Sequence, residues 1–500
     1  MKKLILYSIL QIGVSIVLAQ HSAELIVHAP VLAQDDTLQI HLQDDRIGEP
    51  NRAGYRTMSA VNANGIYRIF VDSIDHHSWL GMNLSYQKRG NYNYLNILDE
   101  FLLMEGDSVH MYLEPKKGVF YPDEEGYDGG IPIVKENWQA RFEGRGAARY
   151  ELQWEIETLS ESDYKKEMLS TIDAPYPTKN FLLLYKLEAA ALTLLESSKA
   201  CLETGVYEML TKQIQGQFGS DIGRRLEVGY FYNKPKEPLA TLFQTELDRF
   251  LAKGKKDLEG SNDNVTKVPK YLDYLSKYVK VAFYAEKPKS WDIDLYFDFS
   301  KILMKPSLVR DRLLSRILLE NFIHKPQKAL LEEALSTIQD PYSRNHVIQL
   351  KSLLKGTNAY DFSMPDVNGI YHKAADFKGK VVFMDFWYAA CGPCKKYMRD
   401  VVGPVKEYYK ENPNVIFITV STDSHQVFST MLSQSDFLPK GGIHLYTDNL
   451  YFKHPIINHY NIQSYPYPLL IDKACELLAM GSELDSVEKL KRYIELVLVK

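Results

Sequence analysis

No stretch of the chain restricts its fold as tightly as Val381 to Lys395, which reads VVFMDFWYAACGPCK. Val381 to Trp387 is apolar or aromatic except for Asp385, the pattern of a strand buried on both faces. The run ends at Cys391-Gly392-Pro393-Cys394, and helix-compatible sequence begins with Lys395. A helix N-terminus concentrates unpaired backbone N–H groups and the positive end of the dipole, so a cysteine there is favoured as thiolate, the form that attacks disulfides. The second cysteine lies one turn on, within reach to close a ring with the first. Gly392 permits the tight approach, and Pro393 suits a first turn where its missing N–H costs nothing. Cys391 is therefore expected to be the more exposed, acidic nucleophile and Cys394 the resolving thiol. Asp385, six residues before Cys391 inside the apolar run, is expected beneath the pair with a pKa raised by desolvation, suited to proton transfer with Cys394.

Asp385-Phe386-Trp387, the Cys-Gly-Pro-Cys tetrad and the later stretch Tyr460 to Asp472, YNIQSYPYPLLID, together resemble thioredoxin. Ala359-Tyr360-Asp361-Phe362, Asn368-Gly369 and Phe377-Lys378-Gly379-Lys380 narrow the resemblance to the envelope thiol-disulfide oxidoreductases called TlpA-like or ResA-like, over about the last third of the chain. The resemblance implies a cis-proline at Pro466 facing the cysteines, with Tyr465 beside it presenting backbone to a substrate. It places Trp387, Gly392, Pro393, Tyr465 and Pro466 on the substrate-binding surface, and it implies no cofactor beyond the redox-active disulfide Cys391–Cys394. Gly-Pro is the thioredoxin dipeptide, which goes with a potential of about −270 mV against about −120 mV for the oxidant DsbA, and so points to a reductase. The implied partners are disulfide-bonded envelope proteins, such as apocytochromes awaiting haem or misoxidised chains, and a membrane thiol electron donor. Three positions depart from the family pattern: Ala390 replaces the usual Trp, Tyr467 an often-seen Thr, and Cys475 the usual Gly.

Five hundred residues exceed what one core supports and suggest about three domains. A formal charge of −5 without a long basic stretch argues against nucleic acid as a partner. Four cysteines are too few for a disulfide-stapled scaffold. No second Cys pair or closely spaced Cys/His set completes a zinc site, so no metal is expected. A permanent structural disulfide would not require the surrounding Asp, Trp and proline pattern. Cys201 and Cys475 lack the activating context a peroxidatic cysteine needs.

Lys2 and Lys3, the apolar run Leu4 to Leu18 and Val17-Leu18-Ala19 read as a signal peptide over 1–19, cleaved after Ala19, with an uncleaved anchor as the alternative. The mature chain is then exported, to the periplasm or cell envelope. Residues 20–118 show alternation at Leu38, Ile40 and Leu42, a turn at Asn64-Gly65, and apolar runs on either side of Glu105-Gly106-Asp107, which suggests an antiparallel β-sandwich-like module. Phe101 to Asp107 is weakly similar to N-terminal β-modules of TlpA-like proteins.

Residues 119–355 read as a linker at Tyr121 to Gly130 followed by a helical domain, broken at Pro175, Pro177, Gly205, Gly254, Pro269, Pro306 and Pro341. Tyr271, Tyr274 and Tyr278 fall on one helix face as core. Residues 356–500 form the thioredoxin-like α/β domain, with strands Val381 to Trp387, Val415 to Ser421 and Ile443 to Tyr446, a helix from Cys391 bent near Gly403-Pro404, and a capping box at Asp485 and Glu488. The whole is a multidomain α+β chain. Its expected activity is thiol-disulfide exchange. The alternative is an interaction or scaffold protein whose first two thirds recruit a partner, with the redox pair subordinate.

Overall fold

A computed structural model describes residues 22–29, 37–43, 55–116 except 73, 75, 89 and 90, 138–169, 179–287 except 204, 291–321, and 328–498 except 390, 435–437, 439, 440, 452, 453 and 463. The expected signal peptide, the stretch Tyr121 to Gly130, the breaks at Pro175 and Pro177, and Ala390 all lie outside these residues. The chain divides into two compact units, the first ending at Ile317 and the second running from Leu318 to the C-terminus.

The first unit opens with strands β1 (Ala23–His28), β2 (Thr37–Gln43), β3 (Tyr55–Val61), β4 (Ile66–Val71), β5 (His77–Lys88), β6 (Asn91–Met104), β7 (Ser108–Pro115) and β8 (Trp138–Arg145). They make two four-stranded sheets, ordered β4-β1-β7-β8 and β3-β2-β5-β6. Leu25 and Val27 from one sheet share a buried cluster with Leu38, Ile40 and Leu42 from the other, the alternate positions that the period of two turns inward. One ladder departs from the antiparallel expectation, because β1 pairs β7 in parallel. Parallel neighbours need a long connection, and here all of β2 to β6 intervenes. Asn64 and Gly65 do take left-handed backbone, at φ 57° and 79°, but the strands on either side of that turn belong to different sheets.

Helices α1 (Ala147–Leu169), α2 (Lys179–Ser197), α3 (Val206–Leu226), α4 (Leu239–Glu259), α5 (Pro269–Glu286) and α6 (Ile293–Leu303) follow. Buried polar contacts join strand to helix: Leu102 N–H donates to Gln153 Oε1 at 2.7 Å, and the Trp79 indole donates to Lys267 O at 2.8 Å. Tyr271, Tyr274 and Tyr278 are core. Gly254 does not break a helix as expected. It lies inside α4, where any Cβ would collide with the Tyr278 ring, so its missing side chain serves close helix packing.

Helix α7 (Leu308–Glu320) carries the division between the units, and α8 (Lys328–Thr337) and α9 (Pro341–Ser352) open the second. A short hairpin, β9 (Ser363–Pro365) and β10 (Tyr371–Lys373), leads into β11 (Val381–Trp387). After it come helices α10 (Gly392–Tyr397) and α11 (Gly403–Tyr409), strand β12 (Val415–Ser421), helix α12 (His425–Gln434), strand β13 (Ile443–Tyr446) and helix α13 (Pro455–His459). Strands β14 (Tyr467–Ile471) and β15 (Leu477–Met480) and helix α14 (Val487–Leu498) complete the unit.

The sheet order is β13-β12-β11-β14-β15. β11 runs parallel to β12 and antiparallel to β14, so it is central and every one of its residues is buried. The bend expected near Gly403-Pro404 is a wide helical turn over Met398–Val402, between α10 and α11. Pro404 has no N–H to give to the carbonyl four residues back, which favours that irregularity just ahead of it. The capping box expected at Asp485 is replaced by Ser486, whose Oγ accepts from Lys489 N–H at 3.3 Å.

Candidate active site

β11 delivers the site. Its inward side chains alternate, and Val381, Phe383 and Trp387 enter the same buried cluster as Cys391, Cys394 and Tyr397. Asp385 shares that face and is fully buried. Its carboxylate makes no hydrogen bond of ordinary geometry. Burial holds its carboxyl well above the usual carboxylate range, against a smaller opposing pull from the Phe386 and Tyr467 N–H groups. Tyr397, one turn beyond Cys394, has its phenol pKa raised by burial and then by the Asp385 charge. The Tyr397 hydroxyl donates to Leu484 O at 2.6 Å.

Cys391 is the N-cap of α10, in extended backbone at φ −76° and ψ 94°, and its Sγ accepts the Cys394 N–H at 3.1 Å. Pro393 occupies the first turn. The two cysteines form a disulfide with Cα atoms 5.3 Å apart. Gly392 and Pro393 between them are exposed. Cys391, expected to be the more exposed of the pair, is only 1% exposed in this disulfide form. The same inward turn that lets its sulfur cap the helix and reach Cys394 removes it from solvent.

The Tyr465–Pro466 peptide is cis, and both residues are partly buried. In the β11–β14 ladder Asp385 faces Pro468 and Phe386 faces Tyr467, so Pro466 continues that strand toward the cysteine end. The Tyr388 and Tyr465 rings meet edge to face at 5.6 Å, and both pack on the cluster that holds the disulfide. Trp387 does not sit on the binding surface that the resemblance implied. It is completely buried beside Phe428, with ring centroids 6.5 Å apart, because its place in the β11 alternation points it into the core.

One group was not legible as part of the site. Asp423, just past the end of β12, accepts Ala389 N–H at 2.8 Å through Oδ2, and the same oxygen accepts the Ser421 hydroxyl at 2.8 Å. Burial pushes its carboxyl pKa up, and these two bonds oppose the shift. The signal that could have exposed it is Ser-Thr-Asp at a strand end, residue types that bond nearby backbone.

Among the described residues no group of three or more His, Cys, Asp or Glu could hold a metal ion. Cys201 and Cys475 are free thiols, Cys201 exposed and Cys475 in left-handed backbone at φ 65°. No helix of the described residues is long and apolar enough to cross a membrane.

A central strand that leads into a helix-capping dithiol, with a buried carboxyl within it and a cis-proline just ahead of the neighbouring strand, defines a thioredoxin-fold redox protein. Residues 379–477 match the family model described as thioredoxin-like, which gives the C-terminal domain its family. Relatives of this domain carry the name thiol-disulfide oxidoreductase. The thiol-disulfide oxidoreductase ResA of Geobacillus kaustophilus is 25% identical over 167 residues, 33% of this chain and 91% of the relative. ResA of Bacillus subtilis is 27% identical over 122 residues, 24% of this chain and 64% of the relative. Among solved structures, the thioredoxin domain of a thiol-disulfide oxidoreductase from Bacteroides vulgatus is 22% identical, covers 29% of this chain and 99% of its own, and superposes with a TM-score of 0.25.

Proposed function

We propose that the protein is an exported reductase of protein disulfides that works by dithiol exchange at Cys391 and Cys394. The observation that carries the reading is the pairing of a helix-capping disulfide with a buried carboxyl at Asp385, without a hydrogen bond of ordinary geometry, on the strand that leads into it. In the reduced protein the Cys391 thiolate attacks one sulfur of a substrate disulfide. A mixed disulfide forms, and the other substrate sulfur leaves as a thiolate that takes a proton. Cys394 then gives its proton to the Asp385 carboxylate and attacks the Cys391 sulfur. The new ring closes, the mixed disulfide breaks, and the second substrate sulfur leaves as thiol after protonation. The substrate has gained two electrons and the protein has lost two, so an external dithiol must reduce the ring for the next turnover.

A carboxyl raised by burial is basic enough to receive a thiol proton and acidic enough to return it. Tyr465 and Pro466, with Gly392 and Pro393, offer the exposed or half-buried surface on which a substrate segment lies next to the sulfurs. The Gly-Pro dipeptide supports the reducing direction, and the relatives' names support the exchange itself. Residues 1–19, by their charged start and apolar run, support export to an envelope compartment. There the substrates are disulfide-bonded envelope proteins and the electrons come from a membrane thiol donor. The β-rich and helical segments ahead of the redox domain are proposed to present it to these partners. The test is reduction of a protein disulfide by the full chain with dithiothreitol as electron source. Cys391→Ser abolishes turnover on this reading, and turnover that persists in that variant contradicts it.

A further inference from the structure

Ser421, the last residue of β12, and Thr422 and Asp423 after it hold the loop that brings Cys391 to its place. Thr422 donates to Trp387 O twice, from N–H at 2.9 Å and from its hydroxyl at 3.3 Å. Asp423 takes the next available donor, Ala389 N–H, and Cys391 N–H in turn donates to Tyr388 O at 3.0 Å. Asp423 is itself fixed from both sides by Ser421, whose hydroxyl donates to Oδ2 while its oxygen accepts the Asp423 N–H at 3.1 Å. The chain from Trp387 to Ala389 leaves the sheet here, so no ladder bond serves the Ala389 N–H, and a side-chain acceptor is its substitute.

We propose that Asp423 is a positioning residue for the redox pair: its carboxylate, braced by Ser421 at the end of β12, grips the Ala389 N–H and thereby sets the approach of Cys391 to Cys394. This rests on the dithiol-exchange reading and goes beyond it, since Asp423 touches neither sulfur nor substrate. The grip matters unequally to the two redox states. The ring closes only when the Cys391 sulfur is within bonding reach of Cys394, so the disulfide form needs a fixed approach, whereas the dithiol tolerates slack. Preorganised approach is what raises the effective concentration of one thiol at the other. Release of the loop therefore favours the dithiol.

Two substitutions separate the grip from the charge. Asp423→Asn removes the charge and keeps an oxygen to accept from Ala389. Asp423→Ala removes both, so the difference between the variants isolates the hydrogen bond. The measurement is the equilibrium between the disulfide and dithiol forms of the full chain in dithiothreitol mixtures of defined ratio, read by thiol alkylation and mass. The loss of one hydrogen bond that leaves a buried donor bare, felt mainly by one state, makes Asp423→Ala about threefold to fivefold easier to reduce than Asp423→Asn, about 15 to 20 mV.

Ser421→Ala, which loosens the brace without touching the carboxylate, is expected to shift the wild-type equilibrium the same way by about twofold, and it decides the matter if Asp423→Ala does not fold. Equal equilibria in Asp423→Asn and Asp423→Ala, or no shift in Ser421→Ala where that variant decides, overturn the positioning role while the exchange reading stands. A wild-type protein with no measurable Cys391–Cys394 couple overturns both.

Discussion

Two neighbouring strands each supply a carboxylate to the redox end of the second unit, and they treat it in opposite ways. Asp385, within β11, is fully buried and has no hydrogen bond of ordinary geometry. Asp423, past the end of β12, is only partly buried and has two donors at 2.8 Å on one oxygen. Burial raises both pKa values, but only at Asp423 do side-chain and backbone donors of good geometry oppose it. The difference teaches that burial alone does not assign a role. A carboxylate kept without donors of good geometry stores the capacity to bind a proton, whereas one held by such donors fixes backbone.

The contrast is sharpest in kinetics. Asp385→Asn is expected to slow the resolving attack by Cys394 about 100-fold, the scale of a lost general base. Asp423→Asn, which keeps its acceptor, is expected to change that step less than about threefold. Stopped-flow decay of the mixed disulfide measures both. Equal effects would erase the distinction between the two groups.

Stability comes next. A folded-state pKa raised above the unfolded value means the folded chain binds the Asp385 proton more tightly. Stability is therefore lost as pH rises from the unfolded carboxyl range toward the raised folded value. Asp385→Asn removes that titration, so its gain over wild type grows with pH, to about 1–3 kcal/mol at pH 9, as read by urea unfolding at several pH values. Asp423→Ala should instead lose about 1–3 kcal/mol at acid pH, because it strips an acceptor from the Ala389 N–H, and the loss should shrink as pH rises, since burial raises that carboxyl too. The smallest effect is at Tyr397, where Phe costs about 1 kcal/mol through the lost bond to Leu484 O, with no more than about twofold change in exchange rate. A larger kinetic effect there would make Tyr397 a proton-handling group beside Asp385.

The sequence made the first member of this pair legible and hid the second. Asp385 stands out as a charge inside the apolar run of β11, and the spans of β11 and β12 follow from largely apolar stretches of strand length. Asp423 is an ordinary polar residue in a loop, and its partner is a backbone N–H 34 positions away, which no periodicity encodes. The burial of Trp387 and Cys391 escaped for a related reason. A motif names which residues sit together but leaves open which way the strand alternation and the helix cap turn them. In the first unit the same limit appears as the parallel β1–β7 pair, since alternation specifies a face and says nothing of a neighbour's direction. Gly254 shows the reverse case, a helix breaker by propensity overridden because Tyr278 needs the space.

Sulfur exchange at Cys391 is the central claim, and trapping tests it most directly. Full-length Cys394→Ala, reduced and then mixed with a disulfide-bonded peptide, should retain one half of the peptide as a mixed disulfide, released by dithiothreitol and mapped by mass spectrometry to Cys391. A protein that forms no adduct, or that carries it only at Cys201 or Cys475, contradicts the account.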